Sequence, residues 1–337
     1  MTEAEAQRDI REVLFRELKK EARTFRKLKG GRNSQVFRVD CGDGSKFAAK
    51  AYFQSANDRR DRIGNEFRAL RFLKEHGLCQ IPEALVADEA RRIGIYEYIE
   101  GEQLHGVGDA EIDQAVEFLR ALRSLSQPAK AAHFPAASEA CFSLDAISSS
   151  LESRFNRLEQ AAGRHPGLAA FLRDDLAPFR KTAEAWSRDF CREHGIDAAD
   201  EIPFADRTLS PSDFGFHNAL RCEGGRLVFL DFEYFGWDDP AKTICDFLLH
   251  PAMELPSELR SRFLSGALSA FEGVSSLELR VRAVYPLFGL KWCAILLNEF
   301  TVEDMERRSF ADSAPGAWSG ATQIEKARRM LARKSLA

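Results

Sequence analysis

Near the start of the chain Ile10, Val13, Leu14 and Leu18 recur at helical spacing among charged neighbours. That spacing predicts a helix over 4–28, with Gly30-Gly31 as its stop. Two alternating runs follow, 35–40 and 46–53, separated by Gly42-Asp43-Gly44. Asp-Gly between β-rich runs predicts a hairpin. Over 58–76 the pattern is helical again: Ile63, Phe67, Leu70 and Leu73 form one stripe, and Gly77 stands at the C-terminal end. Segments 84–88 and 92–99 read as two further strands, ending at Glu100-Gly101.

Beyond this point the pattern changes character. An amphipathic helix is predicted over 110–125, a linker rich in Ala and Pro over 126–137, and two or three long helices over 143–194. Loop and strand signals, including Leu227-Val228-Phe229-Leu230, interrupt them across 209–231, and 259–336 is helical once more. No internal repeat or low-complexity tract occurs. A small strand-rich part followed by a larger helical part is the predicted organisation, an α+β chain.

Composition narrows the function classes only a little. The 337 residues are 45% hydrophobic and 30% charged, an ordinary globular balance with enough chain to bury a core without staples. Forty-eight basic against 52 acidic residues leave a net charge of −4, so no basic excess points to nucleic acid or an anionic membrane. The longest apolar stretch, 283–300, is broken by Lys291 and Asn298 and reads as a buried core helix. The first 30 residues lack the apolar core of a signal peptide. Seven scattered cysteines without a Cys-x-x-Cys pair predict reduced, mostly buried thiols. A cytoplasmic protein with no nucleic-acid, membrane or obligate protein partner is therefore expected.

The densest group of reactive side chains is Asp213-Phe214-Gly215-Phe216-His217-Asn218, followed by Asp231-Phe232-Glu233. A carboxylate can orient a hydroxyl and take its proton. An amide oxygen five residues later and a second carboxylate after an apolar strand suit Mg2+, a hard ion that prefers oxygen. By itself Asp-x4-Asn reads first as a polar turn. Gly30-Gly31-Arg32-Asn33-Ser34 precedes the hairpin and Lys50 lies in its second strand. Such a turn brings backbone N–H groups to phosphate oxygens, and the lysine adds a compact positive charge. Taken singly, these are a helix stop and a lysine reaching for water. No Gly-x4-Gly-Lys-Ser/Thr occurs, which excludes a P-loop. Glu66 shares a helix face with Leu70 and Leu73 and needs a cationic partner there, for which Lys50 is a candidate; an exposed acid on a charged helix is the alternative.

Each signal is weak alone, whereas their order along the chain is specific. Glycine turn, strand lysine, helix glutamate, a strand ending in a hinge, Asp-x4-Asn and Asp after an apolar strand are the parts of phosphoryl transfer in kinase-like enzymes. Over roughly 28–246 the chain resembles the aminoglycoside phosphotransferase and choline kinase superfamily of small-molecule kinases. The likeness is most specific in 210–220 (SPSDFGFHNAL), in 230–240 (LDFEYFGWDDP) and at Asp246, and Tyr96-Glu97-Tyr98-Ile99-Glu100-Gly101 is similar to that family's hinge.

The resemblance implies a bilobal protein-kinase-like α+β fold with a small strand-rich N-lobe, 1–100, and a larger helical C-lobe, 101–337. It implies ATP and Mg2+ as cofactors, Asp213 as catalytic base, and Asn218 and Asp231 as metal ligands. Lys50 would contact the α/β-phosphates and pair with Glu66. The turn of Gly31, Arg32, Asn33 and Ser34 would cover the phosphates, and backbone groups of Glu97 and Ile99 would bind adenine. No Ala-Pro-Glu and no long activation segment follow Asp231, so the acceptor is expected to be a small hydroxyl compound: a sugar, amino alcohol or glycoside. It would lie between Asp213 and the helices of 143–194 and 259–300, with Glu233, Asp238 and Asp239 as candidates for attracting a cationic group. Pro211 stands where the family usually has His, and His217 where it often has a smaller residue. A non-catalytic nucleotide-binding scaffold and a nucleotidyl transferase are the alternatives.

Overall fold

In the computed structural model, which describes residues 1–28, 33–53, 60–126, 134–301, 310 and 320–332, the chain opens with helix α1 (Glu3–Leu18). Thr2 and Glu5 cap it reciprocally, and Ala6, Ile10, Val13 and Leu14 form its buried stripe. The helix is shorter than its periodicity predicts. Lys19 turns left-handed, with φ of 55°, and Ala22–Leu28 becomes strand β1 rather than more helix. Lys, Glu and Arg are good helix formers and hide the stop, but Thr24 and Phe25 suit a strand, and pairing with β2 (Ser34–Cys41) overrides propensity. Gly30-Gly31 therefore follows a strand; both residues lie outside the described set.

Strands β3 (Lys46–Tyr52), β4 (Ala84–Asp88) and β5 (Ile93–Glu97) complete a five-stranded antiparallel sheet in the order β1-β2-β3-β5-β4. Side chains alternate across it. Phe47, Ala49 and Ala51 join Phe37, Val39, Ile93 and Ile95 in a core shared with Ile10, Val13 and Leu14 of α1. Lys50 and Tyr52 have the opposite parity and reach Glu66 on helix α2 (Arg62–Glu75). Asp61 caps α2 by accepting from the Gly64 N–H at 2.9 Å, and Gly77 supplies the left-handed residue after its end, with φ of 84°.

After the two-residue strand β6 (Glu102–Gln103) come helices α3 (Asp109–Leu125), α4 (Leu144–Ala162), α5 (Pro166–Phe171) and, past one π turn, α6 (Ala177–Glu193). Short strands carry the chain onward. These are β7 (Thr208–Ser210), then β8 (Ala219–Arg221) and β9 (Leu227–Phe229), which form a sheet with β6, and β10 (Gly236–Asp238), which pairs with β7. Helices α7 (Pro240–Leu249), α8 (Ser257–Ala270), α9 (Leu277–Leu297) and α10 (Gly320–Ala332) close the chain. The predicted apolar stretch forms most of α9, which is buried nearly all round against α4, α6, α7 and α10. No described helix is long and apolar enough to cross a membrane. Cys41, Cys191, Cys222, Cys245 and Cys293 are buried free thiols.

Two compact units result, each discontinuous in sequence. The first holds Met1–Leu104, Asn218–Phe235 and Glu303–Ala317; the second holds His105–His217, Gly236–Val302 and Trp318–Ala337.

Lys19→Gly tests the early helix stop. It removes a left-handed side-chain cost of about 1–2 kcal/mol and adds unfolded-chain entropy worth about 0.4–1 kcal/mol. The expected outcome in denaturant titration is a net stabilisation of roughly 0.5–1 kcal/mol.

Candidate active-site residues

The first unit assembles charges around Lys50. Its Nζ lies 2.8 and 3.0 Å from the two carboxylate oxygens of Glu66 and 2.9 Å from Asp231 Oδ1. Burial disfavours the Lys50 charge, yet Asp231 and Glu66 outweigh it and push its pKa well above the usual lysine value. Glu66 is further saturated by the Tyr52 hydroxyl at 2.5 Å and the Phe232 N–H at 3.3 Å. Burial, then the Glu66 charge, raises the pKa of both Tyr52 and Tyr96, so each stays a neutral phenol, and their hydroxyls bond one another. Gly94 makes this possible. It pairs with Lys50 across the sheet, and a Cβ there would lie 2.6 Å from the Tyr96 hydroxyl.

Asp231 and Asn218 flank the same hairpin. Ala219 pairs with Phe229, and the Leu230 N–H donates to the Asn218 carbonyl at 2.8 Å. Asp231 itself takes φ of 68°, an uncommon left-handed conformation for a residue with a side chain. Two residues on, Glu233 is buried. Asn33 Nδ2 donates to its Oε1 at 2.8 Å, Arg62 Nε lies 3.7 Å from that oxygen, and Oε2 has no hydrogen-bond partner among the described residues. Burial, reinforced by the Asp231 charge, pushes the Glu233 pKa up to about 8. Three carboxylates against Lys50 and Arg62 leave a surplus of hard oxygen donors, a set suited to a divalent cation. Asn65 braces the segment by donating to the backbone oxygens of Glu233 and Phe235.

Of the other predicted nucleotide contacts, Ser34 is buried at the start of β2 and Asn33 precedes it with its side chain on Glu233 and the Tyr234 hydroxyl. Gly31 and Arg32 lie outside the described residues. Glu97 ends β5 with its N–H on the Glu83 carbonyl, and Ile99 sits half-buried in the irregular segment after it.

The second unit holds Asp213 on a tightly anchored loop. Phe214 stacks on Phe118 of α3 and packs on Phe247 of α7, and Phe216 meets Phe247 edge-on. Ser212 takes φ of 67°, and its hydroxyl donates to the Ser138 carbonyl at 2.7 Å. Lys242 Nζ reaches Ser212 Oγ at 3.2 Å, Asp238 at 2.6 Å and Asp246 at 3.2 Å, one acceptor for each of its three protons. Asp246 also accepts from Lys291 and from the Trp292 indole at 2.9 Å, which makes it a structural anchor. The Asp213 side chain is 37% exposed, with the His217 imidazole 3.1 Å away.

The idea that Glu233, Asp238 and Asp239 attract a cationic acceptor fails. Asp238 is fully buried on Lys242, Asp239 caps α7 and pairs with Arg280, and Glu233 is buried in the first unit. Conversely, no spacing in the sequence singles out Tyr52, Tyr96, Lys242 or His250, whose roles arise from contacts distant in the chain.

The sequence pattern of the phosphotransferase enzyme family, APH, matches residues 24–283. No curated protein matches the chain in sequence. Among solved structures, spectinomycin phosphotransferase APH(9)-Ia, in complex with ADP and spectinomycin, has a TM-score of 0.62 at 11% identity over 96% of this chain and 98% of that one. APH(2″)-IIa in its gentamicin complex gives 0.60 at 18% over 97% and 96%. Choline kinase LicA from Streptococcus pneumoniae gives 0.57 at 17% over 97% and 98%. At these identities the likeness establishes the fold: protein-kinase-like, with a five-stranded sheet in the first unit and a helical second unit.

Glu66→Gln leaves the buried Lys50 ammonium with Asp231 alone, and is expected to cost roughly 2–4 kcal/mol of stability in chemical denaturation. Glu233 behaves oppositely. Its pKa rises from 4.5 to about 8 on folding, so its contribution to stability declines as pH climbs through that window. Glu233→Gln keeps an acceptor for Asn33. Measured at pH 5 and pH 9, the variant should gain on the wild type by a few kcal/mol at the higher pH, at about 1.4 kcal/mol per unit traversed.

Proposed function

Because the chain belongs to the phosphotransferase enzyme family, we propose that it moves the γ-phosphoryl group of ATP to a hydroxyl of a small molecule, of the sugar, amino alcohol or glycoside class. The observation that carries this reading is the Lys50 ammonium, held inside the first unit by Glu66 and Asp231. A fixed positive charge in a largely buried setting is what binding of a polyphosphate requires. Lys50 addresses the α/β-phosphates, and Glu66 fixes its direction. The turn of Gly31, Arg32, Asn33 and Ser34 covers the phosphates through its backbone, while the Glu97 carbonyl and the Ile99 N–H take adenine.

Asn218 and Asp231 are the ligands proposed for Mg2+. The surplus of carboxylates around Lys50 and the unpartnered Glu233 Oε2 favour a cation there. Mg2+, when bound, neutralises phosphate charge. Asp213 orients the acceptor hydroxyl and takes its proton as the new O–P bond forms and the bond to the leaving ADP oxygen breaks. Only four residues separate Asp231 from strand β10, with no segment long enough to present a peptide, which supports a small acceptor. The ADP and spectinomycin named with the spectinomycin phosphotransferase structure and the choline named with the choline kinase point the same way. Burial of Pro211 and the contacts of Phe214, Phe216 and Ser212 support a formed loop around Asp213.

Thermal denaturation with ATP, with Mg2+, and with both tests the reading. Stabilisation is expected only with both, about 2.7 kcal/mol at 100-fold excess over Kd, and Asp231→Ala should remove its Mg2+ dependence. Asp213→Asn should keep that stabilisation while lowering kcat roughly 100- to 10,000-fold. Unchanged turnover in Asp213→Asn would refute the base assignment. Addition of AMP rather than phosphate in product mass spectra would establish nucleotidyl transfer instead.

A further inference from the structure

Two imidazoles converge on Asp213. His217 Nε2 lies 3.1 Å from Asp213 Oδ1, and His250 Nε2 lies 3.8 Å from the same oxygen. The rings stack at 3.7 Å with 2° between their planes. Three such groups, with ligand atoms all within 4.8 Å of one another, also meet the first requirement of a transition-metal site.

Proton positions decide against a metal. The Ala252 N–H donates to His250 Nδ1 at 3.1 Å, so neutral His250 carries its proton on Nε2, the atom a metal needs bare. An ionised carboxylate only accepts, so His217 Nε2 carries a proton as well. His217 Nδ1, buried without a hydrogen-bond partner among the described residues, is then a bare lone pair rather than a stranded N–H. Lone pairs in the planes of two stacked, nearly parallel rings, with centroids 3.7 Å apart, also do not converge on one ion about 2.0–2.1 Å from each nitrogen.

We propose that His217 and His250 are positioning residues for Asp213: their Nε2–H groups address Oδ1, and the acceptor hydroxyl is met by Oδ2. This rests on the reading of Asp213 as the base. The surroundings are built for it. A Cβ on Gly215 would lie 2.7 Å from His217 Cε1 and Nδ1, so only glycine lets that ring fold back over the loop. His250 ends α7 with its N–H on the Asp246 carbonyl at 2.9 Å, and its ring meets Trp292 edge-on at 4.5 Å. Trp292 bonds Asp246, Asp246 pairs with Lys242, and Lys242 reaches Ser212, the residue before Asp213. The histidine pair and the base thus hang on one closed network, which selects the carboxylate rotamer before the acceptor arrives.

Long-range 1H–15N NMR of the full chain labelled with 15N-histidine tests the contact without an acceptor. Both rings should appear as Nε2–H tautomers, with the His217 Nε2–H downfield and slow to exchange. That signal should move upfield in Asp213→Asn and lose its protection in Asp213→Ala. An Nδ1–H tautomer at either residue, an unchanged His217 signal in both variants, or displacement of both Nε2 signals by Zn2+ would overturn the proposal. In ADP release from ATP and Mg2+, His217→Phe should lower kcat about 10- to 100-fold at unchanged KM for ATP, since misplacement of a reacting group has costs of that order. His217→Gln, which keeps a donor, should recover most of it; equal losses in the two variants mean the ring only packs. If Asp213→Asn releases ADP as fast as the wild type, the base reading fails while the NMR contact still stands or falls by itself.

Discussion

Everything proposed for the first unit depends on keeping one ammonium charged away from water. A lysine inside a sheet is normally an expense, because burial favours its neutral form. Lys50 escapes that fate through two carboxylates from distant parts of the chain, Glu66 on α2 and Asp231 after β9. The arrangement explains much of the local architecture. The alternation of β3 sends Ala49 and Ala51 to the α1 core and Lys50 to the other face, and α2 is capped and packed so that Glu66 is met there. Tyr52 and Tyr96 fill the remaining acceptor capacity, and Gly94 yields the space for the second ring.

The charge balance of that cluster is deliberately incomplete. With Glu233 included, carboxylates outnumber cations, and the strain appears as a carboxyl whose pKa is pushed up to about 8. A buried acid whose pKa is raised to about 8 stays mostly protonated at neutral pH, and groups perturbed in this way collect at functional positions. It is the feature that most sharply separates this cluster from a saturated structural ion network. The contrast lies in the second unit, where Lys242 finds three acceptors for three protons and leaves no orphan. One network is closed and holds a loop. The other keeps one buried carboxylate oxygen, Glu233 Oε2, without a hydrogen-bond partner among the described residues.

That loop also shows how a local departure is absorbed. Pro211 occupies the position where a histidine is usual for the family, and the ordering is supplied elsewhere: by the aromatic stack of Phe214 on Phe118 and Phe247, by the Lys242–Ser212 contact, and by two histidines on the far side of Asp213. Several anchors of moderate strength make the geometry of Asp213 less dependent on any single residue.

Local pattern alone determined the hairpin of β2 and β3, the stripe of α2, the buried nature of α9 and the division into strand-rich and helical parts, because periodicity and turn chemistry act between near neighbours. The order of Lys50, Glu66, Asp213, Asn218 and Asp231 was equally legible, since it is a property of the chain and not of space. What tertiary structure decided is everything that needs a partner far along the chain. The end of α1 at Lys19 was invisible among helix-forming residues until β1 found β2. The acids at 238 and 239 looked available until Lys242 and Arg280 claimed them. His217 and His250 carry no spacing that relates them, and only the packing of α7 against the loop of Asp213 stacks their rings and turns both towards one oxygen of Asp213.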